Sequence, residues 1–213
     1  MKNKILDRII HIINKHYNYD ETKLLEIRYG LESIYLSLFK MIVIIILSIF
    51  IHTTKELCLI FIVYGLLRLF AFGLHTKKSI HCWILSIITF ILIPYLIKVL
   101  KIDNNILIPL SILLVILISI YAPADTEKRP LINKKKRIIY KTISITLSTL
   151  YTLIIYFNSE YYIKNLFFFS LLLQTLLILP ISYKLLGLKY NNFKSYKKGG
   201  NKKWNYLLKL LLY

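Results

Sequence analysis

From residue 35 to residue 186 the chain falls into long apolar runs separated by short polar ones. Six of these runs predict membrane-spanning helices: Tyr35 to Ile51, Leu57 to Phe72, Cys82 to Leu100, Asn105 to Ala122, Ile138 to Phe157 and Leu166 to Leu186. Each is near the ~20 residues that a helix needs to cross the hydrocarbon core. The second is the shortest and carries Arg68. Ahead of them, Ile5, Ile9, Ile12 and Ile13 recur with helical spacing, joined by Leu6 and Ile10, with Lys2, Lys4, Arg8 and Lys15 among them. That pattern predicts an amphipathic helix lying on the membrane surface. After the turn-like Asn18, Tyr19 and Asp20, a second periodic run of Leu24, Ile27, Leu31, Ile34 and Leu38 leads into the first span. Pro94, Pro109 and Pro180 lie inside or near the ends of predicted spans, where a missing backbone donor bends a helix.

Composition supports the same class. The chain of 213 residues is 57% hydrophobic, with a mean hydropathy of +0.60, more apolar surface than one water-soluble core can hide. The fold class expected is an all-α integral membrane protein of about six transmembrane helices preceded by amphipathic N-terminal helices. Its domains would be the surface helices at 1–34, the membrane domain at 35–190 and a basic tail at 191–213. The net charge of +19 would suggest nucleic acid in a soluble protein. Here the cations sit between apolar runs, where they meet anionic inner-leaflet lipids instead. With the N-terminus inside, 25 of the 29 Lys and Arg residues fall on inner segments and only Lys55, Lys98, Lys101 and Lys164 on outer ones. Both termini are therefore expected in the cytoplasm. The N-terminus lacks the pattern of a cleavable signal peptide. Two cysteines, Cys58 and Cys82, are too few for a disulfide framework or a metal cluster, and no motif for a metal, nucleotide or other cofactor is present.

The chemistry concentrates between the second and third spans, in Arg68-Leu-Phe-Ala-Phe-Gly73-Leu-His75-Thr-Lys77-Lys78-Ser79-Ile-His81-Cys82. A thiol attacks well only as thiolate, and a helix N-terminus, nearby cations and an imidazole all lower its pKa. Ser79 as N-cap would put Cys82 in the first turn of the third span. Neighbouring helix positions point about 100° apart, so His81 should not face Cys82. On one continuous helix His75 would be ~10 Å from the thiol, too far for proton transfer. A break is required, and Gly73 with the Thr76 to Ser79 stretch supplies it, folding His75 back onto Cys82. The bland readings are a buried small hydrophobe for Cys82 and for Cys58, an interfacial polar residue for His75, and a snorkelling cation for Arg68.

These residues carry a resemblance. Arg68, Gly73, His75 and Cys82 match in identity and spacing the motif of AgrB, the membrane cysteine endopeptidase of bacterial quorum sensing. Ile27-Arg28-Tyr29-Gly30-Leu31-Glu32 resembles that family's pre-membrane segment. Tyr121-Ala-Pro123-Ala-Asp125-Thr-Glu-Lys128-Arg129-Pro130 resembles its basic inner loop. The likeness covers about residues 1 to 190, and the tail beyond Tyr190 matches nothing assigned.

The resemblance implies a protein of the bacterial cytoplasmic membrane, with its active site facing the cytoplasm, acting on an AgrD-like propeptide. Cys82 would be the nucleophile and His75 its base. Arg68, Gly73, Lys77 and Lys78 would support the site or hold the substrate's acidic part. Glu32 is a candidate for orienting His75 or the substrate, since the motif itself contains no acid. The implied product is a cyclic thiolactone or lactone, and a homodimer is what the family suggests. A small peptide transporter without proteolytic activity is the main rival, and a noncatalytic partner for a sensor kinase is another.

Overall fold

The computed structural model describes residues 2–17, 19–74, 79–126 and 130–193, and within them it is built of helices without a β-sheet. The chain divides into two compact units at His52 and Thr53.

The N-terminal unit holds α1 (Lys2–Tyr17) and α2 (Glu21–Phe50). Asp20 caps α2, its carboxylate accepting the Lys23 N–H at 3.3 Å and the Thr22 hydroxyl at 2.6 Å, which satisfies one of the orphan donors of a first turn. The Thr22 hydroxyl is the main cause holding the exposed Asp20 carboxyl below its ordinary pKa. From this cap α2 runs 30 residues without interruption, so the second amphipathic run and the first predicted span form one rod of ~45 Å. Leu6 of α1 is buried, and Asp7 pairs with Arg28 at 2.8 Å. Both partners are about half exposed, which limits such a pair to at most ~1 kcal/mol.

The second unit is a bundle: α3 (Thr54–Ala71), α4 (Ser79–Ile87), a π-helical turn (Ile88–Leu92), α5 (Ile93–Val99), α6 (Asn104–Tyr121), α7 (Lys134–Phe157), α8 (Tyr161–Ile178) and α9 (Pro180–Leu185). The centre is α8, packed against α3, α5, α6, α7 and α9. Of its residues 61% are buried, against 22 to 28% for the spans that run Cys82–Val99, Asn104–Tyr121 and Lys134–Phe157. The outer helices therefore present most of their apolar perimeter to lipid, while α8 is surrounded by protein. Helices at all six predicted places are present, and five meet the length and composition of a membrane span. The other, α3, has 18 residues but includes Lys55, Glu56 and Arg68.

Three local differences from the apolar runs have simple causes. Asn133 accepts the N–H groups of Lys135 and Lys136 at 2.9 and 3.3 Å, so α7 starts at Lys134, a turn before the apolar run. Pro180 cannot donate to Leu176, and the run of residues 166–186 is split into α8 and α9 there. The π turn at Ile88–Leu92 stands just before Pro94, and widening the coil accommodates the proline ring.

Candidate functional site

The C-terminal end of α3 is where the sequence demanded a break. Phe72 has φ +58° and ψ −136°, and Gly73 has φ +122°. A phenylalanine in that region is strained by ~1–3 kcal/mol and persists only if its surroundings over-determine it. They do so from three directions. The Gly73 N–H donates to the Ala124 carbonyl at 2.8 Å and the Ala124 N–H to the Ala71 carbonyl at 3.0 Å, a parallel bridge onto the loop after α6. The Leu74 N–H donates to the Leu177 carbonyl on α8 at 2.9 Å. The Gln174 side-chain NH2 donates to the Phe72 carbonyl at 2.8 Å.

Arg68 closes the arrangement from beneath. One guanidinium nitrogen donates to the Phe72 carbonyl at 2.7 Å and the other to the Leu74 carbonyl at 2.6 Å. Its planar fork thus holds the two carbonyls that flank Gly73. Gly73 is required for the same reason: a Cβ there would collide with the Arg68 Nη1 and approach the Leu177 carbonyl oxygen to 2.9 Å. Arg68 is therefore a backbone clasp, rather than a headgroup anchor.

The loop that receives Gly73 is itself fixed. Ala122, Pro123, Ala124 and Asp125 are all buried. The Tyr183 hydroxyl lies 3.3 Å from both the Ala124 and Asp125 carbonyls, and the Asn192 amide donates to the Asp125 carbonyl at 3.4 Å. The Asp125 carboxylate accepts the backbone N–H groups of Phe193 and Leu131 at 2.8 and 3.3 Å. Arg137 stacks on the Phe193 ring at 3.5 Å. Beside them, burial pushes the Tyr190 phenol above its usual range, with Arg137 opposing.

Cys82 stands in the first turn of α4, half-buried and outside any disulfide; its carbonyl accepts the Ser86 hydroxyl at 2.8 Å. Cys58 is on α3 near the opposite end from Gly73, exposed on the bundle surface. His75, Lys77 and Lys78 lie outside the described residues, as does the His81 side chain. Glu32 is half-buried on α2 in the N-terminal unit. Among the described residues, no cluster of His, Cys, Asp and Glu has the makeup of a metal site. The structure thus joins Arg68 and Gly73 in one clasp and adds Gln174, Asp125, Tyr183 and Asn192, for which the sequence alone suggests no role. Gln174 carries a usable signal, being an amide in a lipid-length apolar run, where an unpartnered polar group is expensive.

The sequence profile described as "Accessory gene regulator B" matches residues 6–178. A "Putative AgrB-like protein" of Clostridium acetobutylicum is 30% identical over 201 residues, 92% of this chain and 96% of its own length. Another, from Listeria welshimeri, is 30% identical over 84% of this chain and 87% of its own. The "Accessory gene regulator protein B" of Staphylococcus saprophyticus is 29% identical over 84% of this chain and 93% of its own. No solved structure matches. With that profile covering most of its length and five helices fit to cross a bilayer, the chain belongs to the AgrB family and is a multi-pass membrane protein of the Agr quorum-sensing system.

Proposed function

We propose that this protein is a cysteine endopeptidase and cyclase acting on an AgrD-like propeptide at the cytoplasmic face of the membrane. The observation that carries this reading is the clasp. The backbone immediately before His75, at Phe72, Gly73 and Leu74, is held by hydrogen bonds with Arg68, Gln174, Ala124 and Leu177, and Cys82 is presented at the start of the next helix. A catalytic base and its nucleophile must be held to fractions of an ångström, and a strained, over-determined backbone serves that purpose.

In the reaction His75 takes the proton of the Cys82 thiol, and the Sγ thiolate attacks a carbonyl in the C-terminal part of the propeptide. The peptide C–N bond breaks as the thioester forms, and the imidazolium returns its proton to the leaving amine. A cysteine or serine within the peptide then attacks the thioester, closing a thiolactone or lactone and restoring the Cys82 thiol. No net oxidation or reduction occurs. Closure outruns hydrolysis when the internal nucleophile is held near and water is excluded, which a membrane-embedded site favours. Lys77, Lys78 and the cations of residues 128–137 would attract the acidic part of the substrate. Glu32, on α2 of the N-terminal unit, is part of the same proposal as a candidate for orienting His75 or the substrate. A homodimer is part of the same proposal.

The test is full-length protein in anionic liposomes mixed with a candidate propeptide and followed by mass spectrometry. Release of the acidic C-terminal fragment is expected from the unaltered chain and not from His75→Ala. Translocation of intact propeptide without cleavage would replace the enzyme with a transporter.

A further inference from the structure

The residues that follow α9 bind the rest of the bundle as a separate peptide would. A Schellman motif ends α9: Gly187, at φ +63°, donates its N–H to the Lys184 carbonyl at 3.1 Å, and Leu188 donates to the Tyr183 carbonyl at 2.8 Å. The chain then returns to the loop after α6 and the first turn of α7. There the Phe193 N–H donates to the Asp125 Oδ2 at 2.8 Å and the Asn192 amide to the Asp125 carbonyl at 3.4 Å. The Phe193 ring lies against the Arg137 guanidinium at 3.5 Å, and the Tyr190 ring stands edge-on to Tyr183 with centroids 5.1 Å apart. A backbone donor on a carboxylate and an aromatic ring on a guanidinium are contacts through which a peptide can be held.

The receiving surface is better satisfied than the contacts that fill it. Ala124 is fixed to Gly73 and Ala71 by backbone bonds of 2.8 and 3.0 Å. Asp125 is 1% exposed, yet its Oδ1 is buried without a hydrogen-bond partner. The Arg137 Nη1 is likewise buried and unpartnered, although the Phe193 ring covers the guanidinium. One acceptor and one donor are thus left over, and each is costly while it stays unpaired. Arg137, Tyr121 and Asp125 all act on the Tyr190 phenol, so both unpaired atoms belong to the surroundings of one residue of this segment.

The place in the fold suits a substrate. Asp125 follows Ala124, the residue bridged to Phe72 and bonded to Gly73, so a peptide seated on Asp125 lies beside the clasp.

We propose that the Asp125 loop and Arg137 form a peptide-binding groove, filled in this structure by residues 190–193, and that a segment of the propeptide carrying an aromatic side chain displaces them. This rests on the reading of the chain as an endopeptidase for that propeptide. Successive peptide units of an untethered chain can offer N–H groups to both Asp125 oxygens and a carbonyl to the Arg137 Nη1, while the aromatic ring takes the place of Phe193. The internal segment, joined to α9 at Gly187, leaves two of those positions unfilled. It acts as a plug, and the apparent affinity for the incoming peptide is reduced by the fraction of molecules in which the plug is out.

The experiment uses full-length protein in nanodiscs carrying Cys82→Ala, so that bound peptide is not consumed. The probe is a fluorescent hexapeptide with the sequence of residues 188–193, Leu-Lys-Tyr-Asn-Asn-Phe, followed by anisotropy. Phe193→Ala loosens the plug and is expected to bind the probe about two- to thirtyfold more tightly than the reference chain, the range that one cation–π contact spans. Adding Arg137→Gln should weaken that binding about tenfold, and an unlabelled candidate propeptide should displace the probe. A segment with a purely structural task predicts no gain on loosening it. Equal binding by the reference chain and a folded Phe193→Ala, or a probe that the propeptide does not displace, overturns the proposal. Cleavage is assayed separately with Cys82 intact: displacement without cleavage supports the groove and removes the endopeptidase, and cleavage without displacement does the reverse. Should Phe193→Ala not fold, Phe193→Leu keeps most of the apolar volume without the π face, and the presence or absence of the same tightening decides.

Discussion

The two ends of α3 make opposite use of their polar residues. At the start, Thr53 and Glu56 have the spacing of a capping box, yet Thr53 makes no cap, and its Oγ1 and the Glu56 Oε2 are buried without hydrogen-bond partners. At the finish, Arg68, Gln174 and the loop at Ala124 hold the carbonyls and N–H groups of residues 71–74. The thiols follow the same division, Cys58 near the loosely capped end and Cys82 just beyond the clasped one. A protein that only needed a helix through a bilayer would have little reason to over-determine one end and leave the other so. Rigid backbone is expected where atoms must react, and the contrast supports the proposal that the reaction takes place at the clasped end.

The largest effect should separate the two thiols. Cys82→Ala is expected to abolish propeptide cleavage with normal membrane insertion, whereas Cys58→Ala should keep activity within about twofold, since an exposed thiol on a helix surface makes little packing contribution. Loss of cleavage in Cys58→Ala, measured by release of the C-terminal fragment, would erase the contrast between the ends.

Next comes Gly73→Ala, which forces a Cβ into Arg68 and the Leu177 carbonyl at a backbone angle that L-residues rarely adopt. A destabilisation of about 2 kcal/mol or more at this loop is expected, with a fall in kcat of about tenfold or greater. Arg68→Lys should be milder but clearly harmful, because a single ammonium cannot reproduce the fork across two carbonyls. Both are read as kcat against KM, and a rise in KM alone for Arg68→Lys would return that residue to substrate binding. Gln174→Leu leaves the half-buried Phe72 carbonyl with one donor fewer and should cost about 1–3 kcal/mol in thermal unfolding.

The smallest effect lies outside the bundle. Asp20 has its folded-state pKa lowered, chiefly by the Thr22 hydroxyl, so its stabilisation of the first turn of α2 is present above the ordinary value of 3.8 and is lost as the pH falls through the depressed one. Amide exchange in that turn should therefore quicken selectively below about pH 4 in the wild-type chain, and Asp20→Ala should show the quickened exchange already at neutral pH.

Much of this architecture is encoded locally. Apolar runs of bilayer length and the glycine at 73 are signals that act over a few residues, and the helices and the positive φ at Gly73 stand where those signals do. The clasp is not legible in the sequence because most of its bonds join residues far apart along the chain: Gln174 is 102 positions from the carbonyl it binds. Arg68 illustrates the limit well. Its charge near a helix end fits a headgroup or a substrate equally, and only the fold of the next six residues back over it reveals two carbonyls at hydrogen-bonding distance. Likewise Asp125 reads as one polar residue in a basic loop, and it takes the segment around Phe193 to bury it.

In the proposed reaction the Cys82 sulfur becomes acylated by the propeptide. The direct measurement is acid quenching of the full-length protein during turnover, followed by intact-mass analysis and peptide mapping. The predicted result is an added mass equal to the N-terminal propeptide fragment, carried on Cys82 and removed by neutral hydroxylamine. Continued cleavage with no such adduct, or an adduct carried on Cys58, would contradict it.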